Sequence, residues 1–132
     1  MGKDLYYLAA SAILTFVMVL FAGLLRARAW TPAGMAVAFG NRATLPDATP
    51  LAGRAERAAR NMLEGMLLFA VVMLAAQIAG VLGPRVALGA QIFFWARLVY
   101  FPVYLAGISY VRTAVWAVSI IGLGMILSAL MA

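Results

Sequence analysis

Four stretches of this chain stay apolar for about as long as a helix needs to cross a bilayer, roughly 20 residues. The first runs from Leu5 to Leu25. The second starts polar, at Arg54 to Glu64, and continues apolar through Leu67 to Leu82. The third runs from about Val86 to Ile108, and the fourth from Thr113 to Met131. In hydrocarbon, backbone N–H and C=O groups find no water, so each crossing segment has to satisfy them internally as a helix. The chain has 132 residues, of which 67% are hydrophobic. A soluble fold of this size has too little interior to hide that much apolar surface. The expectation is one all-α integral membrane domain over residues 1–132, a four-transmembrane-helix bundle with helices at about 5–25, 54–82, 86–108 and 113–131.

The first run could be read as a secretion signal. Its apolar core is longer than such signals use, and its short leader balances Lys3 with Asp4, so a retained helix is expected. Between the first two spans, at about 26–53, lies the longest connection. Its stretch Thr31 to Gly53 reads as a loop, because Pro32, Gly34, Gly40-Asn41, Pro46, Pro50 and Gly53 are turn and breaker residues. Gly83-Pro84 marks a tight turn, and Pro102 breaks the hydrogen-bond ladder inside the third span.

Net charge is +6. A basic balance can signal nucleic acid, but here the basic residues, all Arg except Lys3, cluster at helix ends, and no nucleic-acid partner is expected. Arg26, Arg28, Arg42, Arg54, Arg57, Arg60 and Arg112 fall on the side of the first loop, against Lys3 and Arg85 on the other. The positive-inside rule then makes that loop cytoplasmic and both termini external, in the periplasm or a lumen, in a multi-pass membrane protein.

The chain has no cysteine and no histidine, and only four carboxylates: Asp4, Asp47, Glu56 and Glu64. Thiol nucleophiles, disulfides and the usual zinc sites are excluded, no metal site is expected, and no histidine can serve as general base. Any thiol chemistry must arrive with a ligand.

The polar residues inside the spans form a pattern. In the second span, Arg57, Arg60, Asn61 and Glu64 are spaced i, i+3, i+4 and i+7, about one third of a helix circumference. In the third, Arg97, Tyr100 and Tyr104 repeat an i, i+3, i+7 face. Arg97 lies too deep to reach the headgroups easily, and an intramembrane charge is a functional-site candidate by default. The two spans run antiparallel, so the faces can meet. Glu64 could be a structural ion-pair partner of Arg97 or Arg60. It could equally face a ligand ammonium, with the surplus arginines forking carboxylates of a small anionic peptide. Anionic lipid headgroups would satisfy Arg26, Arg28 and Arg54 as well. Gly124 and Ser128 in the fourth span form a small-xxx-small pair, a weak association signal.

The run Arg57-Ala58-Ala59-Arg60-Asn61-Met62-Leu63-Glu64 resembles the R-A-x-x-N-x-x-E signature of the MAPEG superfamily, the membrane-associated proteins in eicosanoid and glutathione metabolism. The run Ala96-Arg97-Leu98-Val99-Tyr100-Phe101-Pro102-Val103-Tyr104 is similar to the third helix of its leukotriene-synthase members. Arg26 with Arg28, and Arg112-Thr113, resemble basic and Arg-Ser pairs of its microsomal prostaglandin-synthase members. Gly40-Asn41-Arg42 looks like the bacterial branch. This resemblance implies a homotrimer with glutathione as co-substrate in clefts between protomers. It further implies that Arg57, Asn61, Glu64, Tyr100 and Tyr104 bind the tripeptide, with Arg26 from an adjacent protomer. Arg60 and Arg97, on the polar faces of the second and third spans, are counted with these cofactor-binding candidates. Arg112 would stabilise the thiolate and Thr113 would offer a hydroxyl. The implied activity is transfer to, or peroxidase action on, a lipophilic electrophile, although the family also contains a non-catalytic member. Three residues depart from the pattern: Gly65 replaces a frequent aromatic, Thr113 a serine, and Ser109 stands where proline is common.

Overall fold

The computed structural model describes residues 1–42 and 45–132. Ala43 and Thr44, inside the expected loop, lie outside the described residues. Five helices follow in order: α1 (Lys3–Ala27), α2 (Pro32–Phe39), α3 (Pro50–Ile78), α4 (Pro84–Leu105) and α5 (Ser109–Met131). Four of them, all but α2, are long and apolar enough to cross a membrane. Among the described residues there is no strand.

The breakers in the expected loop are helix starts. Pro32 and Pro50 each occupy the first turn of a helix, where a missing N–H costs nothing. Thr31 and Thr49 cap them, accepting from the N–H of Gly34 at 2.9 Å and of Ala52 at 3.1 Å. The stretch Thr31 to Gly53 is therefore corrected from loop to a short helix, a connection and the first turn of α3. At 29 residues, α3 is about 43 Å long, against a hydrocarbon core of about 30 Å. Its first turns, with Arg54 and Arg57, stand outside the core. It stops at Ile78, before Leu82, because Gly80 turns the chain at φ 71°. The fourth span begins at Ser109, four residues earlier than its apolar run, so Arg112 lies within the first turn and a half of α5, its N–H already donated to the Ile108 carbonyl at 3.1 Å.

Polar contacts hold the helix ends. Arg26 of α1 forms an ion pair with Glu56 of α3 at 2.9 Å and also donates to the Pro46 carbonyl at 2.9 Å. At the far end of the same two helices, the Gln77 amide donates to the Asp4 carboxylate. Arg54 Nε donates to the Leu105 carbonyl at 2.9 Å, tying α3 to the end of α4. Between these ends the core is mostly apolar, with Ser11, Thr15, Arg97 and Ser119 buried in it: Met18, Met62, Phe69, Met73 and Phe93 are fully buried, and the Phe69 and Phe93 rings lie 4.3 Å apart.

Helices α4 and α5 cross through Gly89 and Gly122. A Cβ on either would lie 2.6 Å from the other's carbonyl oxygen, so no larger residue fits at this crossing. Such close backbone approach substitutes for a hydrophobic driving force that lipid does not supply. Gly124, by contrast, has nothing within 4 Å of where its Cβ would be, and the Ser128 hydroxyl donates to the Met125 carbonyl of its own helix. Among the described residues Gly124 packs against nothing within the protomer, while the Ser128 hydroxyl accepts from Arg85 of α4 at 3.5 Å.

Candidate functional site

At the loop end of the bundle, α4 and α5 diverge and leave a cleft of about 240 Å³ against the first half of α3. Arg57 and Asn61 line it from α3, Tyr100 and Tyr104 from α4, and Arg112, Thr113 and Trp116 from α5. The spacing explains the convergence. Arg57 and Asn61 are one helical turn apart, as are Tyr100 and Tyr104, and Arg112 and Trp116. The tyrosine rings pack edge to face at 5.5 Å, and both residues are buried while lining the cleft, so the rings are held in place.

Arg112 sits with its guanidinium carbon 4.6 Å from the centre of the Tyr104 ring. A cation over an aromatic face is held in position while its N–H groups stay available. Thr113 donates its hydroxyl to the Ser109 carbonyl at 3.2 Å. Two guanidinium groups and no carboxylate line the cleft, so it attracts an anion, and guanidinium forks match carboxylates in particular.

Arg97 lies behind this surface. It is 1% exposed and donates from Nη1 to Asn61 Oδ1 at 2.6 Å. Its guanidinium carbon is 5.5 Å from the Phe93 ring centre and 5.0 Å from that of Tyr100. Nε has no partner. Arg97 therefore faces protein at depth, with an amide carbonyl as its acceptor. It fixes the Asn61 amide by consuming its oxygen, which leaves the NH₂ group of Asn61 to address the cleft.

Of the two readings of Glu64, the ion pair with Arg97 or Arg60 is not formed among the described residues. Helix geometry gives the reason: Asn61 and Gly65, four residues apart, face α4, while Glu64 is rotated 100° from Gly65 onto the outside of the protomer. Arg97 passes directly over Gly65, where a Cβ would be 2.5 Å from Nη2. Gly65, a departure from the family pattern, is the residue that admits this arginine. Glu64 and Arg60 are exposed and do not line the cleft, and neither makes an ion pair among the described residues. Arg26 does not line it either; its guanidinium is committed to Glu56 and Pro46 of its own protomer.

Sequence reading missed Trp116 as a cleft residue. The signal was present, since Trp116 follows Arg112 by one turn, but an aromatic in a membrane helix is far more often packing or an interfacial anchor. It missed Glu56 as the partner of Arg26, because nothing in spacing connects residues 30 apart.

Of the residues that the resemblance implied, Arg57, Asn61, Tyr100, Tyr104, Arg112 and Thr113 share this cleft, whereas Arg26, Arg60, Glu64 and Arg97 do not line it. The MAPEG family model matches residues 5–132, essentially the whole chain. The chain belongs to the MAPEG family. No individually curated protein matches it. As a MAPEG member it is an integral, multi-pass, all-helical membrane protein of a family that contains glutathione-dependent transferases and non-catalytic members.

Proposed function

We propose that this MAPEG protein is a membrane-bound, glutathione-dependent transferase or peroxidase acting on a lipophilic electrophile. The observation that carries the reading is the cleft itself: Arg57, Asn61, Tyr100, Tyr104 and Arg112 converge on one space with net positive charge. Glutathione offers two carboxylates for the arginines and phenols, and supplies the sulfur nucleophile that this cysteine-free chain cannot. Arg112 lies where a water-soluble thiol and a bilayer-soluble electrophile can meet. A guanidinium beside a thiol favours the thiolate over the thiol. The sulfur then bonds to the electrophilic carbon as the leaving bond breaks, the thiol proton having gone to solvent.

Glu64 and Arg60 support a homotrimer. Glu64 lies at the midpoint of α3, 14 residues from either end (64 − 50 and 78 − 64), and a carboxylate facing lipid at such depth costs several kcal/mol. A neighbouring protomer, or a ligand ammonium between protomers, would remove that cost. The charge distribution of the helix ends supports a cytoplasmic first loop and external termini in a bacterial inner membrane.

A non-catalytic lipid-binding or scaffold role has one observation in its favour: the Thr113 hydroxyl is already bonded to Ser109. Calorimetric titration of glutathione into the detergent-solubilised protein separates the two. Saturable binding that releases a proton near neutral pH supports the transferase reading, and absence of binding by a folded trimer rejects it.

A further inference from the structure

A second cavity lies on the opposite flank of the bundle, between α1 and α2, and the cleft chemistry does not use it. Leu20, Leu24, Trp30, Met35 and Phe39 line it, with Arg42 at its rim, and its volume is about 530 Å³. A smaller depression of about 250 Å³ continues it along α1, past Phe16 and Val19, sharing Leu20 and Arg42. Together they make a groove from Leu24 to Phe16, about 12 Å along the helix axis. The walls are apolar and the residues are exposed, Trp30 at 68% and Phe39 at 86%.

One charge interrupts this apolar surface. Arg42 folds back across α1 and donates from Nη1 to the Gly23 carbonyl at 3.2 Å. It reaches there from a left-handed backbone conformation, φ 58°, which a bulky non-glycine residue adopts at a cost. Gly23 leaves room for it: a Cβ there would lie 3.3 Å from Nη1. Gly23 is about one turn from the end of α1 at Ala27, so the guanidinium stands near the end of an apolar span, with the Gly23 carbonyl as its acceptor among the described residues, above a channel of acyl-chain width.

We infer that this groove is a site for an anionic phospholipid, its phosphate on Arg42 and one acyl chain lying along α1 past Leu20 and Phe16. Arg42 and the apolar walls are separate requirements, and only a molecule with a negative head and a long apolar tail meets both. A guanidinium forks phosphate oxygens well, whereas a zwitterionic head brings its own cation and gains less.

The test uses the whole protein in phosphatidylcholine vesicles, with Trp95 and Trp116 replaced by Phe so that Trp30 alone reports. Phosphatidylglycerol or phosphatidylcholine carrying brominated acyl chains is titrated in over the same range of mole fractions. Brominated phosphatidylglycerol should quench Trp30 at roughly tenfold lower mole fraction than brominated phosphatidylcholine, the factor for losing one charge-assisted hydrogen bond. Arg42→Gln should abolish that preference and Arg42→Lys should keep most of it. Equal quenching by the two lipids, or a preference that survives Arg42→Gln, overturns the inference. So does Trp30 shielded from both lipids, which would mean that a second copy of the chain covers the groove.

Discussion

The same two helices behave differently at their two ends. Where α4 begins and α5 finishes, Gly89 and Gly122 bring the backbones into contact and exclude everything else. Where α4 finishes and α5 begins, Tyr100, Tyr104, Arg112 and Trp116 stand between them and leave a polar cleft. The difference is side-chain size before it is polarity. A glycine pair sets the closest approach, and large residues about ten positions away hold the other end open. In this protein the close-packed half and the cleft half are one helix pair read in two directions.

That contrast can be broken from the reactive end. Arg112→Lys keeps the charge and the topology signal but loses the planar fork. If Arg112 holds the thiolate, turnover with a model electrophile should fall about a hundred- to a thousandfold, the range for removing one stabilising donor at a reacting centre. Thiolate absorbance near neutral pH should fall with it, while glutathione affinity stays nearly constant. Wild-type conjugation by the lysine variant would remove Arg112 from the chemistry.

At the closed end, Gly122→Ala places a methyl against the Gly89 carbonyl and should destabilise the protein by about 1–3 kcal/mol, the usual cost of overpacking. Thermal unfolding in mild detergent measures it. An unchanged midpoint would show that the crossing is loose and that size does not set the gap.

Between the two ends, Glu64→Gln tests whether the outward carboxylate serves ligand or assembly. Weakening of glutathione binding by roughly tenfold or more, with little change in melting, marks a ligand contact. A sharply lowered melting point at unchanged affinity marks a protomer contact instead. The smallest effect is expected from Thr113→Val. The hydroxyl already donates to Ser109, so turnover should drop by less than about tenfold, the factor for one ordinary hydrogen bond. A hundredfold loss would show that the hydroxyl leaves Ser109 during the reaction.

The spans were legible because lipid imposes a length on any apolar run, and each run occupies a helix. Asn61, Tyr100 and Tyr104 were legible as one group because turn spacing places residues on a shared face. What spacing does not carry is the rotation of one helix against another. Glu64 looked like the partner of a buried Arg97, yet a 100° difference from Gly65 puts it on the outside, and the amide of Asn61 takes that place. The small helix α2 was hidden for another reason. Its eight residues are too few and too uniformly apolar to show a helical period, and its Thr31-Pro32 start resembles a turn as much as a cap. Gly65 read as a gap in a motif and is the space through which an arginine runs.

The glycine crossing has a mechanical corollary. Helices α1 and α3 are fastened at both ends, by Arg26 with Glu56 and by Asp4 with Gln77, so a slide of one turn, about 5.4 Å, would part both fastenings together. Helix α5 carries no such double fastening to α3 among the described residues, and its backbone meets that of α4 at Gly122. Arg112 lies ten residues along it, about 15 Å away, so a tilt of roughly 10° about that crossing would carry the guanidinium about 2.6 Å. That is close to the length of one hydrogen bond, enough to make or break one polar contact in the cleft while α1 and α3 stay fastened.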